Sequence, residues 1–243
     1  MNLNDELDRL DRDGYLLISG ALSPEEAERI RVRLNEAREQ GWQEGLNPVG
    51  NMWFDHLLEQ DPETFRNLIA HRSVRPYLEA LMGPQCQLRS LRAHINPGPY
   101  HQEWHMDYYG YWEQPQRRLT QRGVGVNTTF YLQDNAPDLA HLKFVNRGHL
   151  SRPAGLERRL FAGYGPNEFR DWCDQQEHIV LYPKAGDCVL FYSHIPHQGV
   201  KFVAEMERSN VVCHYQVTPM YEGIWHVSRP IGFEGTFPLV ERG

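Results

Sequence analysis

The segment Trp104-His105-Met106-Asp107 places an imidazole and a carboxylate two positions apart. Alternate residues of an extended strand project from the same face, so we expect His105 and Asp107 to converge on one point. A convergent histidine and carboxylate make up two thirds of the 2-His-1-carboxylate set that binds non-haem Fe(II) and leaves coordination positions open. This chemistry requires a second histidine from elsewhere in the chain.

The segment Gly186–His197 offers that second histidine. Gly186 and Asp187 are typical of a tight turn that feeds an apolar strand, and His194 and His197 follow the far end of that strand. Strand ends line the mouth of a β-barrel, where ligand sites are commonly found. On this pattern alone, both histidines remain candidates.

Arg208 lies eleven residues beyond His197, and we expect it to sit across a hairpin from that histidine. It is followed by an apolar segment of β-formers, Val211–Tyr215. An arginine inside an apolar barrel is costly unless it meets an anion, and its planar guanidinium pairs best with a carboxylate. The pattern therefore predicts that Arg208 anchors a carboxylate near the metal.

Three helices are predicted in the N-terminal third of the chain. Leucines at helical spacing indicate a helix over 3–12, and a capping box, Ser23-Pro24-Glu25-Glu26, begins a second helix over 24–40. A third helix, over 62–82, should break near Pro76.

Residues 42–62 are rich in glycine, asparagine, proline and large aromatic side chains, which favours a long loop. Aromatic residues on such a loop either roof a pocket or fill the core. Trp53 is the pocket candidate from this segment.

From residue 85 onward the pattern changes to short strands separated by glycine and proline turns. The predicted strands cover 87–95, 102–108, 125–132, 141–145, 178–182, 188–192, 199–203, 211–218 and 225–228. An insert over 151–177 is predicted to be helical or irregular. Helices followed by many short strands predict a mainly β protein, an antiparallel sandwich or barrel backed by helices.

Length and charge narrow the class of protein further. A chain of 243 residues with 40% hydrophobic and 12% aromatic residues suits one globular domain over 1–243. Helical support is expected over about 1–83 and a β-barrel core over about 85–228. A net charge of −7 argues against nucleic-acid and anionic-membrane partners, which favour a basic surface.

The remaining composition favours a cytoplasmic protein. The four cysteines are widely separated and form no CxxC pair, which indicates reduced thiols. The polar, acidic N-terminus does not resemble a signal peptide, and no apolar run approaches the roughly 18 residues of a spanning helix.

Together these features resemble the phytanoyl-CoA dioxygenase family of Fe(II)/2-oxoglutarate-dependent oxygenases. The resemblance covers the chain from about residue 8 to residue 218 and rests on the opening segment Asp11–Glu26, the motif Trp104–Asp107, the segment Ala185–His197 and the spacing to Arg208. The chain departs from the family where Asn146-Arg147-Gly148-His149 replaces the usual Pro-Gly-Ser-His turn and where Leu139-Ala140 replaces an Asn-Gly turn.

The resemblance implies a double-stranded β-helix, the jelly-roll or cupin-like barrel, with N-terminal supporting helices. It implies that His105, Asp107 and His197 bind Fe(II), and that Arg208 binds the C5 carboxylate of 2-oxoglutarate. His197 is favoured over His194 by its spacing to Arg208 and by the small-residue turn that follows it. His194 then becomes a pocket candidate.

Further site residues are predicted around this set. Asn210, two positions beyond Arg208, and Thr129, at a strand position from which the family often contacts 2-oxoglutarate, are co-substrate candidates, as is Gln102; an ordinary strand role is the alternative for each. The expected walls of the substrate pocket are Tyr108, Tyr109, Tyr111 and Trp112. The basic loop with Arg117, Arg118 and Arg122 either attracts an anionic substrate or is solvated surface.

The function that this resemblance implies uses Fe(II), 2-oxoglutarate and O2 to hydroxylate an unactivated C–H bond, with release of succinate and CO2. Because Asp107 is present, halogenation is disfavoured. We expect a small metabolite as substrate, such as an amino acid derivative or a natural-product intermediate, and a monomer or homodimer. Acyl-CoA or another anionic substrate, and desaturation, cyclisation or epimerisation, remain alternatives. So do a cupin-type metal-dependent isomerase or hydrolase and a non-catalytic binding protein.

Overall fold

The fold was obtained as a computed structural model, which describes residues 2–46, 50–83, 86–107, 125–151, 167–203, 206–217 and 229–230. The helices in these ranges are α1 (Leu3–Asp13), α2 (Pro24–Glu39), α3 (Leu57–Gln60), α4 (Pro62–Ile69), α5 (Arg75–Met82), α6 (Gly148–Ser151) and α7 (Asn167–Asp174). The strands are β1 (Tyr15–Ile18), β2 (Gly45–Leu46), β3 (Met52–Phe54), β4 (Cys86–Asn96), β5 (Tyr100–His101), β6 (Gly125–Tyr131), β7 (Ala140–Val145), β8 (His178–Leu181), β9 (Cys188–Tyr192), β10 (His197–Lys201), β11 (Arg208–Val217) and β12 (Arg229–Pro230).

The strands form two antiparallel sheets. The larger sheet has the order β1-β9-β6-β11-β4-β3-β2, with β12 also paired to β4, and the smaller sheet has the order β5-β10-β7-β8. Side chains from both sheets meet in one apolar cluster, composed of Tyr131, Leu142, Phe144, Val189, Phe191 and Ile195. The mainly β prediction is confirmed, and two facing antiparallel sheets are the arrangement of a double-stranded β-helix.

The larger sheet is covered on both faces. Val211, Cys213 and Tyr215 of β11 project outward and pack with the N-terminal helices in the main core. The alternate residues of β11 project from the opposite face, which we call the inner face because it turns towards the smaller sheet. All seven residues of β6 are buried, as expected for a strand enclosed on both sides.

The N-terminal helices follow the capping signals in the sequence. Ser23 and Glu26 form the predicted capping box at the start of α2. Helix α1 ends at Gly14, which has a left-handed φ of 84°. A Cβ at Gly14 would lie 2.5 Å from His149 Nδ1 and 2.7 Å from Ile195 Cδ1, so only glycine fits here against the turn that leads to β10.

Two predictions for the N-terminal region need correction. Residues 42–62 are not one long loop, because β2 and β3 extend the larger sheet and α3 follows them. The break predicted within the helix over 62–82 is present, but it lies at residues 70–74, between α4 and α5, and not at Pro76 itself. Pro76 lies in the first turn of α5, where its missing N–H costs no hydrogen bond.

Two predictions for the β-core are also wrong. Strands β10 and β11 do not form a hairpin, because β10 pairs with β5 and β7 in the smaller sheet whereas β11 pairs with β4 and β6 in the larger one. The described part of the predicted strand 102–108 is not a strand, and His105 makes only an isolated bridge. The predicted strand 225–228 and most of the insert over 151–177 lie outside the described residues.

The Gly186-Asp187 turn is confirmed and joins β9 to the N-terminal region. Gly186 has a φ of 88°, and a Cβ there would lie 2.7 Å from the Leu22 carbonyl oxygen. The carboxylate of Asp187 accepts the backbone N–H groups of Gly20 (2.9 Å) and Lys184 (2.8 Å). This buried carboxylate holds the start of the strand that leads to His197.

No helix among the described residues combines the length and the apolar character needed to cross a lipid bilayer.

We predict that Asp187→Ala lowers the free energy of unfolding by about 2–3 kcal/mol, because two partly buried N–H donors lose a charged acceptor. Urea denaturation checks this. The matched control is Asp134→Ala, whose exposed carboxylate accepts a single backbone N–H, from Ala185 at 3.0 Å, and whose loss should cost well under half as much. Equal losses of stability in the two variants would contradict the role assigned to the Asp187 carboxylate.

Candidate metal and co-substrate site

Backbone pairing brings the predicted metal ligands together. His105 and His197 face each other across an isolated antiparallel bridge, with N–H···O distances of 3.1 Å and 2.9 Å. The Asp107 N–H donates to the Ser193 carbonyl oxygen at 2.9 Å. The segment after β5 is therefore laid along the segment that precedes β10, and this places all three side chains on one site.

The three side chains have the geometry of a metal-binding set. Asp107 Oδ1 lies 3.5 Å from His105 Nε2, and Asp107 Oδ2 lies 3.3 Å from His197 Nε2. One ligand atom from each residue lies within 4.8 Å of the others, so the set could hold a metal ion. Ligand atoms bound about 2 Å from one ion are about 3 Å apart, so small side-chain movements suffice.

Hydrogen bonds to backbone carbonyls fix the tautomer of both histidines. His105 Nδ1 lies 2.9 Å from the Glu103 oxygen, and His197 Nδ1 lies 2.9 Å from the Ile195 oxygen. A carbonyl oxygen only accepts, so Nδ1 carries the proton in each ring and Nε2 presents its lone pair towards Asp107. This is the orientation that metal-binding histidines adopt.

The protonation states also suit a cation. Burial, reinforced by the neighbouring His197, lowers the pKa of His105 to about 4, so this ring is neutral at pH 7. Burial alone would raise the pKa of Asp107, but His197 and His214 outweigh it and hold that pKa well below its usual value. A neutral imidazole and an ionised carboxylate are the forms that bind metals.

Two residues that sequence reasoning missed contact the carboxylate. Asn127 Nδ2 donates to Asp107 Oδ2 at 2.6 Å, and His214 Nε2 lies 3.6 Å from the same oxygen. The signal that could have found them is strand alternation. Asn127 lies two positions before the predicted Thr129, and His214 lies six positions after Arg208, each on the same face as the residue already singled out.

Arg208 is buried on the inner face and is surrounded by neutral groups. Its Nη1 donates to Asn96 Oδ1 at 3.1 Å. The Asn210 amide, with its oxygen turned towards Arg208, accepts from Nη1 and Nη2 at 3.1 Å and 3.2 Å while its nitrogen donates to His94 Nδ1. Arg208 Nε has no hydrogen-bond partner among the described residues. Because these amides are neutral, they do not compensate the positive charge of Arg208, and the position suits an anionic ligand.

Gly199 leaves room between the arginine and the metal candidates. It follows His197 by two residues on β10, so both positions share a face and lie about 6–7 Å apart. A Cβ at Gly199 would lie 3.4 Å from Arg208 Nη2 and 3.4 Å from Gln102 Oε1. The arrangement suits a short molecule that chelates a metal at one end and carries a carboxylate at the other.

The other co-substrate candidates border the same space. Thr129 is buried on the inner face of β6, between Asn127 at the metal end and Tyr131, whose ring centre lies 5.6 Å from Arg208 Cζ. Gln102 Nε2 lies 2.9 Å from His105 Nε2. The structure thus brings Thr129, Gln102 and Asn210 together with the predicted core of the site.

The pocket candidates have different outcomes. Trp53 pairs with His94 across β3 and β4 and is half-buried in the same row as Asn210, which pairs with His94 from the other side. The described ring contacts of His194 are with Tyr192 and His149, at centroid distances of 5.4 Å and 6.2 Å. The pocket role of His194 stays a prediction. The remaining pocket candidates and the basic loop lie outside the described residues: Tyr108, Tyr109, Tyr111, Trp112, Arg117, Arg118 and Arg122.

Residues 10–203 match the model of the family described as phytanoyl-CoA dioxygenase (PhyH). The match covers most of the chain and includes His105, Asp107 and His197. A comparison with curated proteins finds no significant match.

Several solved structures are similar to this chain over most of its length. The epimerase SnoN in complex with Fe3+, alpha ketoglutarate and nogalamycin RO has a TM-score of 0.72 at 16% identity, over 98% of each chain. HygX from Streptomyces hygroscopicus, with nickel and 2-oxoglutarate bound, has a TM-score of 0.66 at 16% identity, over 90% of this chain and 88% of that one. EctD from S. alaskensis, with 2-oxoglutarate and 5-hydroxyectoine, has a TM-score of 0.71 at 17% identity, over 96% and 80%. At these identities the likeness shows a shared fold.

We predict that acid destabilises the metal-free protein between pH 6.5 and pH 4. Burial is the main cause of three lowered histidine pKa values. The pKa of His94 is lowered to about 3, and the pKa values of His105 and His141 are lowered to about 4. In this window the unfolded chain binds more protons than the folded one. The free energy of unfolding should therefore decrease as the pH is lowered, by up to about 1.4 kcal/mol per pH unit for each histidine.

Urea denaturation at pH 7 and pH 5 checks this dependence. His94→Gln should make the loss on acidification smaller, whereas His56→Gln, at an exposed position, should leave it as in the wild type. The same loss of stability in all three proteins would contradict the assignment to His94.

Proposed function

Because this chain belongs to the phytanoyl-CoA dioxygenase family of Fe(II)/2-oxoglutarate-dependent oxygenases, we propose that it hydroxylates an unactivated C–H bond of a small-molecule metabolite and releases succinate and CO2. The observation that carries this proposal is the placement of a buried Arg208 beside Gly199, two strand positions from His197. A metal set without an anion anchor would suit a cupin-type isomerase or hydrolase equally well.

His105, Asp107 and His197 would hold Fe(II), which when bound activates O2 in a reaction coupled to the decarboxylation of 2-oxoglutarate. The protein's own contribution is orientation. The carbonyls of Glu103 and Ile195 accept from the Nδ1 atoms and leave both imidazole Nε2 atoms free to bind the ion. Three protein ligands on one side leave positions open for the co-substrate and for O2.

Arg208 would bind the C5 carboxylate of 2-oxoglutarate. Asn96 and Asn210 accept hydrogen bonds from its Nη atoms and so hold the guanidinium plane in place. Thr129 would lie along the co-substrate between its two ends, and the Gln102 amide, 2.9 Å from His105 Nε2, would lie at the metal end. Bidentate pairing with a planar guanidinium would give both affinity and direction to the co-substrate.

Apolar side chains around the site exclude water from the chemistry. Phe144 and Phe191 pack against the His197 ring at centroid distances of 6.0 Å and 4.9 Å. Both belong to the apolar cluster between the sheets. A dry surround strengthens the electrostatic interactions of the site and protects the oxidising chemistry from side reactions.

The inner face of β3 and β4 supports a small polar substrate. Beside Trp53 it carries Arg92, whose Nε and Nη2 donate to the two oxygens of the Asp55 carboxylate. It also carries His94, which burial keeps neutral by lowering its pKa to about 3. This part of the described surface therefore has an aromatic wall, several hydrogen-bonding groups and balanced charge. It favours an amino acid derivative or a natural-product intermediate over a highly anionic substrate.

We propose residues 1–243 as one catalytic domain.

The first experiment adds Fe(II) and 2-oxoglutarate to the protein without oxygen, which should produce a weak visible charge-transfer band. Asp107→Ala should abolish the band and all 2-oxoglutarate-dependent succinate formation, because a metal ligand is lost. Asp138→Ala, at an exposed position, is the matched control and should behave like the wild type. A wild-type protein that gives no band would overturn the oxygenase assignment.

Substrate is then sought by a metabolite screen scored by substrate-stimulated succinate formation. A product that gains one oxygen supports hydroxylation. A product of unchanged mass indicates epimerisation, the reaction named for SnoN, and a product that loses two hydrogens indicates cyclisation or desaturation. Either of the last two results would replace hydroxylation while retaining the co-substrate.

We predict that Arg208→Met raises the KM for 2-oxoglutarate by about 30-fold or more, since loss of one partner of a buried charge pair costs about 2–5 kcal/mol. Arg208→Lys should restore part of the affinity, because it keeps the charge but loses the fork geometry. Arg38→Met removes a neighbouring, half-exposed guanidinium that pairs with Glu207 and should leave the KM unchanged. An unaltered KM in Arg208→Met would refute the anchor.

A further inference from the structure

We propose that Asn127 and His214 are positioning residues. Together they contact Asp107 Oδ2 and so hold the carboxylate in the orientation needed for metal binding, and a serine hydroxyl orients each of them. The inference rests on the metal site of the proposed function and goes beyond its ligands. It assigns a role to four residues of the inner face, Ser90, Asn127, Ser193 and His214, none of which binds the metal itself.

The first arm runs through Asn127, whose side chain is fully buried. Ser193 Oγ donates to Asn127 Oδ1 at 2.7 Å. The ionised carboxylate of Asp107 only accepts hydrogen bonds, so it fixes the NH2 group of Asn127 on its side and leaves Oδ1 to accept from Ser193. Asn127 Nδ2 then donates to Asp107 Oδ2 at 2.6 Å, a short, charge-assisted hydrogen bond.

The second arm runs through His214 to the same oxygen. Its Nδ1 lies 2.8 Å from Ser90 Oγ, and its Nε2 lies 3.6 Å from Asp107 Oδ2. An ionised carboxylate only accepts hydrogen bonds, so the favourable tautomer carries its proton on Nε2. Ser90 then donates its hydroxyl proton to Nδ1. At 3.6 Å this contact is longer than a direct hydrogen bond, so we assign His214 a smaller contribution than Asn127 to holding the carboxylate.

Strand register places the two arms side by side. His214 of β11 is the Cα partner of Asn127 on β6 and of Ser90 on β4, so the three form one row across the inner face. Strands β6 and β11 lie inside the larger sheet with a neighbour on each side. Side chains on such strands are more rigidly placed than side chains on loops, which is the property a positioning group needs.

This row supports a carboxylate that lies outside the regular strands. The Asp107 N–H donates to the Ser193 carbonyl oxygen, and the row adds side-chain contacts from the larger sheet. The Asn127 hydrogen bond and the longer His214 contact on Oδ2 restrict rotation of the carboxylate, and Oδ1 then lies on the side of His105 Nε2, 3.5 Å away. Groups that orient a metal ligand typically contribute about 10- to 100-fold to metal affinity.

The experiment measures the dissociation constant for Ni(II) by calorimetry, with the full chain and without 2-oxoglutarate. We expect Asn127→Ala to weaken binding by about 10-fold or more and His214→Phe by about 3- to 10-fold. His214→Gln should recover part of that loss, because its amide can donate towards Asp107. Ser193→Ala should show an intermediate loss, because Asn127 remains but its amide is no longer oriented.

The matched control is Thr128→Val. Thr128 neighbours Asn127 on β6 but projects from the opposite face, where its hydroxyl lies 3.4 Å from the Tyr215 hydroxyl. This variant loses a buried polar contact without touching Asp107. We therefore expect a fall in the apo protein's Tm similar to that of Asn127→Ala, with an unchanged affinity for Ni(II).

The outcomes separate positioning from stability. Affinities within twofold of the wild type in both Asn127→Ala and His214→Phe would overturn the inference, as would an equal loss in Thr128→Val. If Asn127→Ala does not fold, Ser193→Ala and the His214 pair decide the result in the same way. Normal Ni(II) binding without any succinate formation would defeat the proposed function alone, and a wild type that fails to bind Ni(II) would defeat both.

Discussion

The pair of backbone hydrogen bonds between His105 and His197 is the interaction on which the site depends. It joins a segment that forms no regular strand to the first residue of β10, and it brings Asp107 alongside Ser193. The segment that carries His105 and Asp107 lies outside the regular strands. The rest of the site is therefore arranged as support, with carbonyls on both imidazoles and polar side chains from the larger sheet on the carboxylate.

The larger sheet separates stability from chemistry by its two faces. Its outer face packs apolar side chains against the helices, and that core includes residues of α1, α2, α4 and α5. Its inner face carries Arg208, Asn210 and His214 on one strand and Asn127 and Thr129 on the next. Burying these polar groups costs free energy, which the apolar face and the hydrogen bonds among the polar groups offset.

The similar solved structures show how little the fold alone specifies. SnoN is named as an epimerase, and EctD was solved with 5-hydroxyectoine, although the chain resembles both over nearly its whole length. An iron site with open positions supports several outcomes, and the position of the substrate's C–H bond selects among them. In this chain we propose that the face with Trp53, the Arg92–Asp55 pair and His94 makes that choice.

Much of the site was readable from local sequence, because local spacing decides local geometry. The two-residue spacing of His105 and Asp107 predicted their convergence, although the strand on which that prediction rested is not formed and an isolated bridge places His105 instead. The apolar surroundings of Arg208 predicted its burial. Cap and turn signals such as Ser23 and Gly186 located the start of a helix and the start of a strand. The family resemblance then selected His197 over His194.

The tertiary structure alone decided which distant residues meet. The expected hairpin between His197 and Arg208 was wrong, since the chain crosses from one sheet to the other, yet Arg208 still reaches Gly199 across the interior. Asn96, Asn127 and His214 join the site through strand register. Register is set by pairing between segments far apart in the chain, and a shift of one residue would turn each of these side chains to the opposite face.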